Sequence, residues 1–144
     1  MNETSAGRWV HHAFEPSNID RTGPFLNEPD GRLLTIDAEG IRLSGDDGKT
    51  WSDTIPAKHG QNPVKEPGSC YLLRADDNSI VMVFLDLADY KFDWNEVKGE
   101  PEETARLGMY AIRSTDNGKT WSTRQKLLDG YNANFFGFIK LRTG

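Results

Sequence analysis

The segment between residues 86 and 106 places aromatic rings beside carboxylates. Tyr90, Asp93 and Trp94 fall within five consecutive positions of this segment. Aromatic rings offer flat apolar surfaces on which sugar faces stack, while carboxylates accept hydrogen bonds from sugar hydroxyl groups. We therefore predict that these three side chains bind a sugar. The same composition is also typical of a surface insertion whose aromatic side chains anchor it to the rest of the protein, and the sequence leaves both interpretations open.

Other residue types that commonly support chemistry lack the spacing that the chemistry requires. His11, His12 and His59 do not form a zinc-ligand pattern, and the acidic turns lack the calcium-loop pattern with its distal glutamate. Cys70 is the only cysteine in the sequence, so it forms no disulfide within the chain, and we interpret it as a small buried strand residue. We predict no metal and no cofactor.

The chain contains the same nine-residue phrase twice, at 44–52 (SGDDGKTWS) and at 114–122 (STDNGKTWS), with seven identical positions. Its aspartate can accept hydrogen bonds from backbone N–H groups just ahead, and its glycine allows the positive φ of a tight reversal. Its tryptophan offers a large apolar face for burial at the start of the next strand. We therefore interpret each copy as a turn between antiparallel strands. The phrase residues are Ser44, Asp46, Gly48, Thr50 and Trp51 in the first copy and Ser114, Asp116, Gly118, Thr120 and Trp121 in the second.

Short apolar runs separated by turn residues surround the two phrases and predict two groups of four strands. The run 80–85 (IVMVFL) is continuously apolar, which is typical of a strand covered on both faces. The predicted strands are Pro24–Asn27, Arg32–Asp37, Ile41–Ser44 and Ser52–Ile55 in the first group, and Ser69–Arg74, Ser79–Leu87, Leu107–Ser114 and Thr123–Leu128 in the second.

The repeated phrase is an Asp-box, or BNR repeat, and from about Arg21 onward the chain resembles the sialidase-like (neuraminidase-like) β-propellers. Two further stretches carry the resemblance: residues 30–34 (DGRLL) precede the first box, and residues 112–116 (IRSTD) lead into the second. The resemblance implies four-stranded sheets, called blades, arranged around an axis. Asp-boxes also occur in other glycosidases, in secreted binding proteins and in receptors, so they indicate the fold more strongly than they indicate catalysis.

We accordingly predict an all-β fold, a partial β-propeller with about two four-stranded antiparallel blades of a six-bladed sialidase-like propeller. Two blades alone would leave half of the 80–85 run exposed and blade edges open, so we expect self-association through those edges. The expected organisation is an N-terminal strand and connector at 1–23, blade one at 24–57 with its Asp-box at 44–51, blade two at 58–130 with a loop insertion at 86–106 and its Asp-box at 114–121, and the truncated start of a third blade at 131–144.

In such a propeller the Asp-boxes lie at one end of each blade, and the family's site lies at the opposite end. Retaining sialidases use an arginine cluster for the substrate carboxylate, a tyrosine nucleophile activated by a glutamate, and an aspartate as acid/base. The resemblance implies that Arg21, ten residues before Gly31, binds the substrate carboxylate. Pro24 stands one place later than the proline of the family's phrase. The resemblance assigns the catalytic acid/base role to Asp37 or Glu39, in a turn much shorter than the family's loop. A solvated connector arginine and two ordinary turn acids are the alternatives.

Two functions from different classes follow. In the first, the chain is an N-terminal fragment of a sialidase-like glycoside hydrolase of the exo-sialidase type, acting on terminal sugars of glycans. We expect this fragment to be inactive alone, with the nucleophile and the remaining arginines beyond Gly144. In the second, the chain is a non-catalytic Asp-box propeller module that binds carbohydrate or a protein partner through residues 90–96. The expected ligand is a glycan or a small sugar, with a protein partner as the alternative for the second function.

Charge and hydropathy argue against two other classes of partner. The 17 Lys and Arg against 22 Asp and Glu give a net charge of −5, and no basic cluster is present, so we expect no nucleic acid partner. The mean hydropathy is −0.65, and no run approaches the roughly 18 apolar residues of a membrane span. The first seven residues contain no signal-peptide core, so localisation stays open: cytoplasmic by default, or secreted if a leader was removed.

Overall fold

The computed structural model describes residues 19–37, 39–56, 58–59, 62–63 and 67–141, and the predicted all-β class is confirmed. A single 3-10 turn, Leu87–Asp89, is the only helical element in those ranges, and none of their helices is long and apolar enough to cross a membrane. The strands are β1 (Phe25–Asn27), β2 (Leu33–Ile36), β3 (Ile41–Ser44), β4 (Lys58–His59), β5 (Asn62–Pro63), β6 (Pro67–Arg74), β7 (Ile80–Asp86), β8 (Trp94–Asn95), β9 (Glu100–Pro101), β10 (Met109–Ser114) and β11 (Gln125–Leu128).

The first sheet contains β1, β2 and β3 in that order, each antiparallel to its neighbour. These three strands confirm the first three predictions, but the predicted strand Ser52–Ile55 is reduced to a bridge between Ile55 and Ile41. The physical reason is that the Ser52 hydroxyl accepts the hydrogen bond of the Leu43 N–H at 3.1 Å, where a strand would offer a backbone carbonyl. The predicted four-stranded sheet is therefore three-stranded here.

The second sheet has four antiparallel strands in the order β11-β10-β7-β6. All four predicted strands are confirmed, with ends that differ by at most two residues. Predicted strand Thr123–Leu128 begins only at Gln125, because the Ser122 hydroxyl accepts from the Arg113 N–H at 3.1 Å, as Ser52 does in the first sheet. In both sheets a serine hydroxyl thus accepts the hydrogen bond that a backbone carbonyl of the last strand would otherwise accept.

The two sheets pack against each other through one apolar core. On β7, Ile80, Met82 and Phe84 face this core and are fully buried. The strands β1 and β6 run side by side in the same direction. At their starts, residues 22–25 and 68–72 line one cavity. Beyond their ends, Glu28 pairs with Arg74. The buried members of the core are Leu34, Ile36, Ile41, Leu72, Ile80, Met82, Phe84, Tyr110, Ile112 and Trp121.

The other face of β7 is also covered. Val83 and Leu85 are buried and Val81 is half-buried, so the expectation that half of this run is exposed is wrong. Part of the cover comes from the C-terminal segment, since the Phe135 ring lies 4.8 Å from that of Tyr71, the register partner of Val83. Burial on both faces therefore fits the continuous apolar character of the strand.

The C-terminal segment is extended without pairing as a strand. Lys140 reaches Asp76 at 2.5 Å and Asn134 bonds to Ser69, so the segment follows β6 in the same direction. Residues 132–141 form no strand, although the start of a third blade is predicted at 131–144. Ile139 in this segment is 77% exposed, and no strand pairing is described for it. Residues 142–144 and most of the predicted N-terminal strand and connector lie outside the described residues.

Residues 86–106, predicted as a loop insertion, contain a short hairpin. Lys91 and Arg106 exchange backbone hydrogen bonds at 2.8 and 2.7 Å, and β8 pairs with β9 above them. The Asn95 side chain closes the tip by accepting the N–H groups of Val97 at 3.1 Å and Lys98 at 2.9 Å. We call residues 90–106 the aromatic hairpin.

Each Asp-box is a turn closed by the same hydrogen bonds. In the first, the buried Ser44 hydroxyl donates to Asp46 and accepts the Gly48 N–H, both at 2.8 Å. The Asp46 carboxylate also accepts the Thr50 N–H at 2.8 Å and its hydroxyl at 2.7 Å. The second box repeats these four bonds at 2.8, 2.8, 2.8 and 2.6 Å, with Ser114, Asp116, Gly118 and Thr120 in the same roles.

The box glycines also receive an isoleucine from the preceding part of the chain. Gly118 has φ +84°, and a Cβ added to it would lie 2.6 Å from the Cδ1 of Ile41 in the first sheet. Gly48 has φ +83° and stands in the same relation to Ile19, at 2.7 Å from its Cγ1. The Cδ1 atom of Ile41, in the first sheet, therefore packs directly against the backbone of the second box. We call this close approach of an isoleucine to a box glycine an isoleucine socket.

We predict that Gly118→Ala lowers the free energy of unfolding by about 1–2 kcal/mol, because alanine resists the left-handed conformation and its methyl group overlaps Ile41. Urea unfolding followed by tryptophan fluorescence measures the change. Gly45→Ala is the matched control, since its Cβ meets nothing within 4 Å and its φ is not positive, and it should unfold like the wild type. Equal stability of both variants would show that the socket at Gly118 does not constrain this position.

We predict that the first box loses stability in acid. Hydrogen bonds from the Thr50 N–H, the Thr50 hydroxyl and the Ser44 hydroxyl lower the pKa of Asp46 from 3.8 to about 2. A lowered pKa in the folded state stabilises the fold above pH 3.8, and this contribution is lost as the pH falls towards 2. Asp46→Asn should therefore unfold at lower urea than the wild type at pH 7, with the difference shrinking below pH 3.8.

The control for that measurement is Asp47→Asn in the same turn. Asp47 is exposed and has φ +58°, a conformation that asparagine adopts readily. This variant removes the same charge one position away, so its urea midpoint should track the wild type at every pH. A parallel loss in both variants would show that general charge, and not the box, sets the acid sensitivity.

Candidate functional site

Arg21 and Asp37, which are predicted site residues 16 positions apart, meet as an ion pair. Arg21 precedes β1 and Asp37 follows β2, and antiparallel pairing of these strands brings the two positions to one end of the sheet. The Arg21 guanidinium also lies 5.6 Å from the centre of the Trp51 ring. The ion pair therefore lies at one end of the sheet, beside the start of β1 and the end of β2.

A second arginine, Arg42 on β3, joins this pair. Its Nε lies 3.7 Å from the Asp37 Oδ2, and its Nη2 pairs with the predicted acid Glu39. The sequence interpretation missed Arg42, although it follows the Asp37–Gly40 turn by two residues and stands three positions after Glu39. We call Arg21, Asp37, Glu39 and Arg42 the arginine cluster.

The Asp37 carboxylate is held at both oxygens. Oδ1 accepts the N–H groups of Glu39 at 2.9 Å and Gly40 at 3.2 Å, while Oδ2 faces both arginines. Gly40 has φ +143°, and a Cβ there would collide with the Ile55 carbonyl group, so the turn geometry requires glycine. Asp37 is thereby fixed in the turn, whereas the Glu39 side chain is 70% exposed.

The arrangement is suited to holding an anion. The Arg42 and Arg21 side chains are only 17% and 24% exposed, so their charges are partly shielded from water. A planar guanidinium matches a carboxylate through two parallel N–H donors, and partial burial strengthens that interaction. The geometry shows both predicted acids engaged with arginines, so charge pairing, and not proton transfer, is the chemistry that it displays directly.

A cavity of about 420 Å³ begins directly after Arg21. It lies between the starts of β1 and β6 and is lined by Thr22–Phe25 and Gly68–Leu72. This volume is within the range of small-molecule sites. Cys70 lines it, and burial raises the pKa of its thiol to about 12, so the thiol remains protonated at neutral pH and is a poor nucleophile.

The aromatic hairpin presents the predicted residues Tyr90 and Trp94 to solvent, at 53% and 47% exposed. The Trp94 ring stacks on Phe92 at 6.2 Å, and Phe92 in turn contacts Tyr131 at 5.1 Å. Asp93 points to Lys91 at 3.3 Å and to the Thr104 hydroxyl at 3.3 Å. Trp94, Phe92 and Tyr131 form a three-ring group, of which the sequence interpretation identified only Trp94.

The root of the hairpin is fixed by a buried tyrosine. The Tyr110 hydroxyl donates to Asp89 at 2.5 Å, and the Arg124 guanidinium lies 4.5 Å from the ring centre. Burial, together with the adjacent Asp89 carboxylate, raises the pKa of Tyr110, so this phenol stays neutral as a donor. Among the described residues, no ion pair or hydrogen bond connects the hairpin with the arginine cluster.

Neither a search for metal-binding groups nor comparison with known proteins identifies a further site. Within the described ranges no three His, Cys, Asp or Glu side chains are grouped to hold a metal ion. His11 and His12 lie outside those ranges, and nothing is described of the His59 side chain. Comparison with protein-family models, with curated protein sequences and with solved structures found no match to this chain.

Proposed function

We propose that this chain is part of a sialidase-like Asp-box β-propeller and that its arginine cluster holds the carboxylate of an acidic sugar. In this proposal the two sheets are successive blades. Three features support it: β1 and β6 run side by side in the same direction, both boxes are built identically, and the isoleucine sockets repeat from one unit to the next. Parallel inner strands around an axis are what propeller geometry requires.

The observation that carries the functional part is the convergence of Arg21 and Arg42 on the single oxygen Oδ2 of Asp37. Two partly buried guanidiniums at one point attract a carboxylate and recognise its planar shape. The adjoining 420 Å³ cavity provides room for the rest of a sugar ring. An acidic sugar such as a sialic acid combines the required carboxylate with hydroxyl groups.

The proposal assigns substrate binding, and not the whole reaction, to these residues. Retaining sialidases also need a tyrosine nucleophile and its activating carboxylate near the substrate. The chain therefore binds the acidic sugar of a glycan as a portion of a glycoside hydrolase, and we expect binding without hydrolysis from the 144 residues alone.

We predict that N-acetylneuraminic acid binds the wild-type chain and that Arg21→Ala weakens binding about tenfold, the cost of about one charge-assisted hydrogen bond. Chemical-shift titration by NMR measures both dissociation constants and shows whether each variant is folded. Arg32→Ala is the matched control, because Arg32 pairs with Asp30 at an exposed turn outside the cluster. Absence of binding to the wild type, or an equal loss in both variants, would contradict the proposal.

A second function is favoured by a specific observation, the exposed stack of Phe92 on Trp94. Exposed aromatic groups of this kind are typical of interaction sites for carbohydrate or protein. Here the aromatic hairpin would act as a non-catalytic binding surface, independent of the arginine cluster. A neutral glycan would then bind at Tyr90, Asp93 and Trp94.

We predict for this second function that Trp94→Ala weakens the binding of neutral oligosaccharides severalfold, because the stacking face is lost. Saturation-transfer NMR with lactose and with a mannose oligosaccharide measures the effect. Val97→Ala serves as the control, since Val97 lies at the tip of the same hairpin and is 97% exposed. If neither sugar binds the wild type, or if Val97→Ala matches Trp94→Ala, the hairpin is a surface insertion and not a sugar site.

A further inference from the structure

The arginine cluster already contains a carboxylate at the point where a ligand carboxylate would bind. Oδ2 of Asp37 faces both guanidiniums, so the protein supplies its own anion to its two partly buried cations. Glu39 adds a second, exposed acid on Arg42, and Asp20 lies 3.8 Å from the Arg21 Nε. In the ligand-free chain the cluster is therefore neutralised from within.

Asp37 satisfies these arginines only in part. The Nε atoms of Arg21 and Arg42 are buried, and among the described residues neither has a hydrogen-bond partner. The nearby oxygens of Asp20 and Asp37, at 3.8 and 3.7 Å, are within ion-pair distance but beyond hydrogen-bond distance. Each guanidinium thus keeps one buried N–H donor that Asp20 and Asp37 leave without a hydrogen bond.

We infer that Asp37 is an internal competitor at this site, so that an acidic sugar binds the arginines by displacing the Asp37 carboxylate from them. This inference rests on the proposed function. An incoming anion and Asp37 repel each other at the short distances involved, and the repulsion offsets part of the attraction to the two arginines. The affinity of the resting chain for acidic sugars is accordingly set low, and only ligands whose carboxylate fits both forks overcome the internal one.

The displacement needs no unfolding of the turn. Oδ1 of Asp37 is held by the N–H groups of Glu39 and Gly40, whereas Oδ2 alone faces the arginines. When the arginine side chains turn from Oδ2 to the incoming carboxylate, the turn bonds at Oδ1 stay in place. The turn therefore tethers the competitor next to the site at a high effective concentration.

Asp37→Asn tests the inference, because the amide oxygen of asparagine can still accept the Glu39 and Gly40 N–H groups while the negative charge is removed. Asp30→Asn is the matched control. Asp30 also accepts a backbone N–H two residues ahead, at 3.1 Å, and pairs with an arginine, Arg32, but it lies outside the cluster. The probes are N-acetylneuraminic acid and its methyl ester, titrated by NMR into the full 144-residue chain at low salt.

We expect Asp37→Asn to bind the acid about tenfold more tightly than the wild type or than Asp30→Asn, with no gain for the methyl ester. Wild-type binding that is equal to or tighter than that of Asp37→Asn, in a variant whose spectrum shows an intact fold, would overturn the inference and leave the proposed function standing. If the wild type does not bind the acid, the proposed function itself fails. Tighter binding of the ester as well would assign the effect to the turn and overturn the competition.

Discussion

The buried serine hydroxyl of each Asp-box is the interaction on which the rest of this structure depends. It accepts a glycine N–H and donates to an aspartate, and these bonds stop one strand and aim the chain at the next. Because only three residues, Ile41 to Leu43, separate the box from the Asp37–Gly40 turn, the first box also constrains where Arg42 lies. A local bond at one end of the sheet thus positions the charges at the other end.

The same residue type serves two different purposes at those two ends. Asp46 and Asp116 are stabilised as carboxylates mainly by neutral donors within their own turns, which leaves no counter-ion to exchange. Asp37 accepts turn N–H groups at Oδ1 and faces the guanidiniums of Arg21 and Arg42 at Oδ2. Neutral, local partners make a carboxylate structural, whereas charged partners from distant positions are able to accept another anion.

Local sequence signals predicted most strands because each strand is short and bounded by turn residues. Ile41–Ser44 agrees residue for residue, whereas Ser52–Ile55 failed because a serine hydroxyl replaced a backbone carbonyl, a substitution that no hydropathy pattern records. The role of Arg42 was missed for a different reason. Pairing of β1, β2 and β3 brings Arg42 together with Arg21 and Asp37, and hydropathy patterns do not record such contacts. The propeller arrangement, the sugar and the roles of the site residues remain predictions, since they rest on resemblance and on contacts that form only in the folded chain.

The contact of Ile41 with Gly118 places a piece of one sheet inside the closing turn of the other. The filling residue is synthesised about 77 positions before the socket that receives it. On a ribosome that delivers the chain from its N-terminus, the first sheet is available as a template when the second box emerges. The second box then closes against a side chain that is already in place, so the order of synthesis matches the order in which this contact is built.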